Sequence, residues 1–158
     1  MAKTGSSASD RSNSKVTPRL RLCLEIEPCP CPRPRVGRWG AYYPAKYVKW
    51  RKAFSDMLRG VVEDRGIQPH TQHLTVSISC FATKPRTSKL SCPRPDVDNF
   101  AKSVLDAANG ILWADDSLIV DLQVTKAWTP PTCPPQIIIQ IQPSSGTSRV
   151  RPADLGTT

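Results

Sequence analysis

Acid is what this chain is short of. It sets 13 aspartates and glutamates against 22 lysines and arginines, a formal charge of +9. Such a balance does not decide a fold, but it favours a polyanionic partner, either nucleic acid or anionic lipid. Long hydrophobic runs are also missing, so no segment reads as a membrane span. Nothing reads as an amphipathic membrane anchor, which leaves nucleic acid as the expected partner. Residues Met1 to Lys15 are polar and lack the apolar centre of a signal peptide, so a cytoplasmic protein is expected. The only histidines, His70 and His73, fall in a turn. Without a secretory signal, Cys23, Cys29, Cys31, Cys80, Cys92 and Cys133 are expected to be reduced and structural. Cys29-Pro30-Cys31 is not the C-x-x-C of a zinc site, and no histidine stands at ligand spacing from it. The chain shows no internal repeat.

At 158 residues it suits one domain with a real core. Residues 1–17 are rich in Ser, Lys, Arg and Asn without periodicity, and 143–158 are similar, so both are expected to be disordered tails around a domain over 18–142. Leu20 to Glu27 alternates apolar and polar residues, the mark of a half-buried strand. Leu74 to Phe81, Leu118 to Ala127 and Gln136 to Gln142 alternate in the same way, with Leu118, Val120, Leu122 and Val124 expected inward. Ala45 to Arg65 has helical spacing, with Tyr47, Trp50, Phe54, Met57, Leu58 and Val61 as its apolar stripe and Gly66 as its terminator. A second helix is expected to be capped by Asp98 or Asn99 and to run to Asn109, burying Phe100, Val104, Leu105 and Ala108, and to be ended by Gly110. Four strands and two main helices predict an α+β (mixed α/β) fold with a small mixed sheet. The short proline loop Pro130 to Pro135 predicts that the last two strands pair antiparallel.

The basic residues are grouped. Pro28 to Pro34 is expected to be an extended, stiff loop, and the stretch Arg33 to Pro44 that follows carries Arg33, Arg35 and Arg38 among glycines and the aromatics Trp39, Tyr42 and Tyr43. Arginine pairs with phosphate in bidentate fashion. Aromatic faces can take an unstacked base, although they can equally fold back on the core. Lys46 and Lys49 continue the basic surface on the polar face of the first helix. Lys84, Arg86, Lys89 and Arg94 crowd a loop with no acid.

The scarce acids are grouped too. Asp96 and Asp98 stand one residue apart where that loop enters the second helix, and Lys102 follows Asp98 by one helical turn. Asp115 and Asp116 follow the glycine that ends the helix. Phosphodiester hydrolysis needs an activated water, relief of phosphate charge and help for the leaving oxygen. Magnesium supplies all three and binds through a few carboxylates plus water. Asp96, Asp98 and Asp116 are therefore expected to share one ion, and Lys102 to neutralise the phosphate or orient the water. Each residue has a plainer explanation: a helix cap, an i,i+4 surface pair, an ordinary turn. A cap needs one acid, however, and the clustering of acids in a basic chain needs its own reason.

The stretch Arg94-Pro95-Asp96-Val97-Asp98-Asn99-Phe100-Ala101-Lys102, then Leu105 to Ser117 with its Trp113-Ala114-Asp115-Asp116, then Val120-Asp121 and Thr125-Lys126, resembles the RusA family of Holliday-junction resolvases, found in bacteria and their phages or prophages. The specific part spans about residues 94–126, and the upstream arginine loop is similar to phage-type members. The resemblance implies a magnesium-dependent homodimer that cuts four-way DNA junctions by paired symmetric nicks in recombination or repair. It assigns Asp96, Asp98 and Asp116 to the metal, Lys102 to catalysis, Asp115 to support and Asn99 to structure. Two alternatives stay open: a broader branch or flap nuclease, and a non-catalytic basic DNA-binding protein. An adaptor for RNA or protein is a third, against which the motif counts.

Overall fold

The computed structural model describes residues 19–144. The tails expected over 1–17 and 143–158 lie outside the described residues, apart from Pro143 and Ser144, which continue the last strand and its hydrogen bonding.

The elements in chain order are β1 (Leu20–Leu24), β2 (Arg35–Gly37), β3 (Gly40–Tyr42), α1 (Ala45–Asp64), β4 (Leu74–Ala82), α2 (Val97–Ala108), β5 (Ile119–Trp128) and β6 (Gln136–Pro143). A 3-10 turn, Asp116–Leu118, leads into β5. Four strands form one mixed sheet in the order β1-β6-β4-β5. β6 runs antiparallel to both β1 and β4, while β4 and β5 are parallel. The parallel pair follows from α2, which returns the chain so that β5 runs in the direction of β4. The fold is the expected single α+β domain, with a mixed four-stranded sheet and two main helices.

Alternation put the core where it belongs. Leu74, Val76, Ile78, Cys80 and Ala82 of β4 are buried, as are Ile137, Ile139 and Ile141 of β6 and Leu22 and Leu24 of β1. Both helices pack on that face, through Phe54 and Leu58 of α1 and Phe100, Val104, Ala107 and Ala108 of α2. Helix α1 ends as its sequence predicts. Gly66 turns at φ 61°, and Ile67 N donates to Val62 O at 2.9 Å, closing a Schellman-type end. All six cysteines are free, and burial pushes the Cys80 thiol up to about 12.

Four expectations are corrected. β5 and β6 do not pair, because β4 lies between them. The loop after β5 holds prolines 130, 131, 134 and 135, which cannot donate to a tight hairpin ladder. Thr129 instead keeps to β4, donating from its N to Ala82 O at 2.8 Å, and the loop arches over β4. Val120 and Leu122 are not inward. β5 is an edge strand, and they stand 54% and 41% exposed, while Ile119 and Val124 meet the core. Helix α2 begins at Val97, with Asp96 rather than Asp98 or Asn99 in the N-cap position. The arginine loop is not all loop, since β2 and β3 form a hairpin apart from the main sheet.

Candidate active site

A proline sets the entrance to α2. Pro95 disfavours helical backbone just before it, and the helix starts after Asp96, which stays extended at φ −64°, ψ 148°. Asp96 occupies the cap position without capping, for its side chain accepts no hydrogen bond from the first turn. Asp98 sits in that turn, where the helix dipole favours an anion, and its Oδ1 accepts from Asn99 N at 2.9 Å. Both are exposed. Neither forms an ion pair among the described residues. The common structural use of an aspartate here, a side-chain cap, is thus not taken up by Asp96.

Asp116 is positioned from the core. The segment Ile111-Leu112-Trp113 is buried, with Trp113 fully so. Backbone hydrogen bonds clamp it: His70 N to Leu112 O at 3.0 Å, Ala114 N to His70 O at 2.9 Å and Gly110 N to Trp113 O at 2.8 Å. From this fixed base the Trp113 indole Nε1 donates to Asp116 Oδ1 at 2.6 Å. One carboxylate oxygen is held and the other is left for a ligand. Asp115 does something else. Its Oδ1 accepts from Ser117 N at 2.8 Å, capping the 3-10 turn, and bonding to Ser117 lowers its carboxyl below the usual range.

The acids do not converge within one chain. Asp96 and Asp98 stand at the start of α2, and Trp113 with Asp116 lies past its end. Twelve residues at 1.5 Å rise separate those ends by about 18 Å. Among the described residues no three His, Cys, Asp or Glu side chains are grouped to hold a metal ion.

Two lysines bracket the first turn. Lys102 reaches forward to Asp106 rather than back to Asp98, with Nζ 3.2 Å from Oδ1 and 3.2 Å from Oδ2. The hydrogen bond and charge of Asp106 raise its pKa. Lys126 of β5 donates to the Pro95 carbonyl, tying the loop that carries Asp96 to the sheet. The sequence showed Lys126 only as part of a motif. Nothing local shows that its side chain reaches Pro95, because the contact joins elements 31 residues apart.

Arg33, Arg35, Arg38, Lys46, Lys49, Lys84, Arg86, Lys89 and Arg94 are all exposed. None donates a side-chain hydrogen bond or forms an ion pair among the described residues, and Arg38 lies over the Trp39 ring at 5.4 Å. Such unneutralised cations suit phosphate oxygens. Beside them a cleft of about 340 Å³ is lined by Tyr43, Tyr47, Arg51, Lys52, Ser55 and Arg59, among others. Its three cations are already engaged, for Lys52 and Arg59 pair with Asp56 at 2.7 and 3.2 Å and Arg51 donates to Asp106 O at 3.3 Å.

The donor chemistry fits magnesium in kind. That ion takes hard oxygens, one or two carboxylates with water and phosphate completing its shell. Asp96 and Asp98 offer carboxylates with no lysine or arginine partner, and Asp116 offers its remaining oxygen.

Residues 25–142 match the family model described as endodeoxyribonuclease RusA. A Bacillus subtilis (strain 168) protein described as "Uncharacterized protein YqaN" is 50% identical over 36 residues. That likeness covers 23% of this chain and 25% of the other, so the chain matches only a quarter of that relative's length. The family match takes in every strand of the main sheet except β1, both helices and all the acids named above, and on that extent the chain belongs to the RusA endodeoxyribonuclease family.

Proposed function

We propose that the protein is a magnesium-dependent, structure-specific endodeoxyribonuclease that resolves four-way DNA junctions by paired symmetric nicks, and that it works as a C2 homodimer. The observation that carries this reading is Asp96 and Asp98 at the start of α2, neither of them ion-paired in a basic chain of an endodeoxyribonuclease family.

Bound magnesium would relieve charge on the scissile phosphate and ease deprotonation of the attacking water, which makes it nucleophilic. Asp96 and Asp98 would hold the ion at the mouth of α2. Trp113 holds Asp116 by one oxygen, so that the other is presented at a fixed angle. Lys102 exchanges Asp106 for the phosphate. Its present pair is exposed and of small worth, so the exchange costs little. Lys126 keeps Asp96 from drifting by holding Pro95. The free arginines and lysines take the flanking phosphates and set the register of the strand. The ends produced are a 5′-phosphate and a 3′-hydroxyl.

The dimer answers the separation of the acids. In a C2 pair the start of α2 in one copy can face the end of α2 in the other. Asp116 of the partner subunit then completes the site of Asp96 and Asp98, twice over. Two identical sites suit a junction that has near two-fold symmetry and needs two matched nicks. The reading places the protein in the bacterial cytoplasm, with the DNA it acts on.

A second reading, a basic DNA-binding protein without catalysis, draws on the absence of a grouped metal site among the described residues. It predicts no metal dependence. A broader branch or flap nuclease shares the first reading's chemistry and differs only in substrate range. Asp98→Asn separates the classes. The expected result is junction binding as tight as before, or tighter because repulsion from phosphate is relieved, with magnesium-dependent cleavage abolished. Loss of binding and fold together would make Asp98 structural.

A further inference from the structure

The hairpin β2–β3 contributes no side chain to the core, yet it is a built object. Its turn residues Arg38 and Trp39 keep negative φ, and Gly40 completes the reversal at φ 110°, a value open to glycine. The Tyr42 ring lies over Gly37 so closely that a Cβ there would stand 3.0 Å from Tyr42 Cε1. The base of the hairpin is fixed on both sides. Before it, Cys31 N donates to Asn99 O at 2.8 Å, in the first turn of α2 and next to Asp98. After it, Tyr43 meets Tyr47 at 5.2 Å between ring centres, and Tyr47, Trp50 and Phe54 carry the stack into the core.

At the tip stands Trp39, 93% exposed. The other three tryptophans are each at least partly buried, and each donates its indole N–H: Trp50 to Glu27 O, Trp113 to Asp116 and Trp128 to Leu90 O. Among the described residues Trp39 has only the Arg38 guanidinium over its ring. A large aromatic held out in water is an unfilled contact surface. Its surroundings select the occupant. No acid lies between Glu27 and Asp56, a stretch that holds Arg33, Arg35, Arg38, Lys46, Lys49, Arg51 and Lys52. A polyanion that also offers a flat apolar face is a nucleic acid with an unstacked base. Regular duplex offers no such face inside its stack, whereas a branch point does. Trp39 is four residues from Tyr43, so the tip stands within about 14 Å of the anchored base.

We propose that Trp39 is a specificity-determining residue that stacks on a base face laid open at the branch point, with the hairpin as its pedestal and Arg35 and Arg38 on the flanking phosphates. This rests on the junction-nuclease reading above. The hairpin thereby sets the distance from the branch to the α2 acids, because its base is tied to Asn99.

The test uses the full chain without magnesium. Affinities for a four-way junction and a linear duplex are measured across a range of salt for the unaltered protein, Trp39→Ala, Trp39→Phe and Arg35→Ala. A 2-aminopurine probe is placed either beside the branch or mid-arm. Removing an aromatic platform is expected to weaken junction binding about tenfold or more. Duplex binding and the slope of log K against log salt should stay unchanged, because no phosphate contact is lost. Trp39→Phe should keep most of the affinity. Arg35→Ala should instead reduce the slope by about 0.9. The branch probe should change its emission on binding the unaltered protein but not Trp39→Ala, and the mid-arm probe should respond to neither.

Equal junction binding by Trp39→Ala, with an unchanged probe response, overturns the proposal while junction preference stands. A change in oligomeric state without a change in the junction-to-duplex ratio assigns the hairpin to a subunit contact and overturns it too. If the unaltered protein does not prefer the junction, the nuclease reading itself has failed and takes the proposal with it.

Discussion

A tryptophan holds the acid that completes the proposed site. Trp113 is fully buried, and its one polar atom is spent on Asp116. Partners that orient a metal-binding carboxylate commonly contribute 10–100-fold in metal affinity. Trp113→Phe keeps a ring in the core and removes only the indole N–H and some volume. Stability is expected to fall by about 1–2 kcal/mol, and the magnesium concentration for half-maximal cleavage to rise about tenfold or more. A titration of cleavage against magnesium, beside a denaturation curve, reads both. An unchanged magnesium requirement would reduce Trp113 to a core residue. This role was written in the chain as W-x-x-D, but that spacing announces nothing by itself. Whether a tryptophan three residues from an aspartate reaches it depends on the turn between, here the one capped by Asp115.

Elements were legible where burial imposes a period. β4 and β6 each bury one face, so alternation gave both strands to within a residue. Helix α1, with its stripe and Gly66, was as plain. Adjacency was not legible. β5 and β6 are neighbours in sequence, yet β4 separates them, because a strand's partner depends on which sheet edge is still open. Edge position also escaped, and Val120 and Leu122 look like core residues although both stand exposed on an edge strand whose register skips Val120. The strands of the hairpin are three residues long and carry no period to detect. The direction of α2 was the costliest gap. Spacing placed Asp96, Asp98 and Asp116 near one another in sequence, while the helix carries them apart.

One element answers to pH. His70 braces the Trp113 segment through its backbone, and burial lowers its imidazole below the usual 6.5. Its Nε2 is buried without a hydrogen-bond partner among the described residues. The unfolded chain therefore takes up a proton before the folded one does. Stability contributed by neutral His70 is present above about pH 6.5 and is lost as pH falls below it toward the lowered folded value. The melting temperature is expected to drop on going from about pH 7 to about pH 5, and to drop less in His70→Gln. Equal slopes in the two proteins would show that other groups carry the acid sensitivity.

At the scale of the whole molecule, the question is where one site ends and its copy begins. If Asp116 of the partner subunit completes each site, two inactive proteins can repair one another. A dimer of one Asp98→Asn chain and one Asp116→Asn chain has one site with both lesions and one with neither. Co-expression of the two is expected to restore nicking at a single position per junction, in about half of the dimers if pairing is random. If each chain held a whole site, both halves of every mixed dimer would be dead and no mixture would cut.

The central claim is that acids at the two ends of α2, on a basic surface, make a junction-cutting nuclease. The most direct test is to incubate the purified protein with an end-labelled four-way junction and a linear duplex of the same sequence, with and without magnesium. The account predicts nicks at symmetric positions on two opposed strands of the junction, none on the duplex, and none without the metal. Tight junction binding with no cut under any divalent ion would contradict it and leave a DNA-binding protein whose acids serve its helix alone.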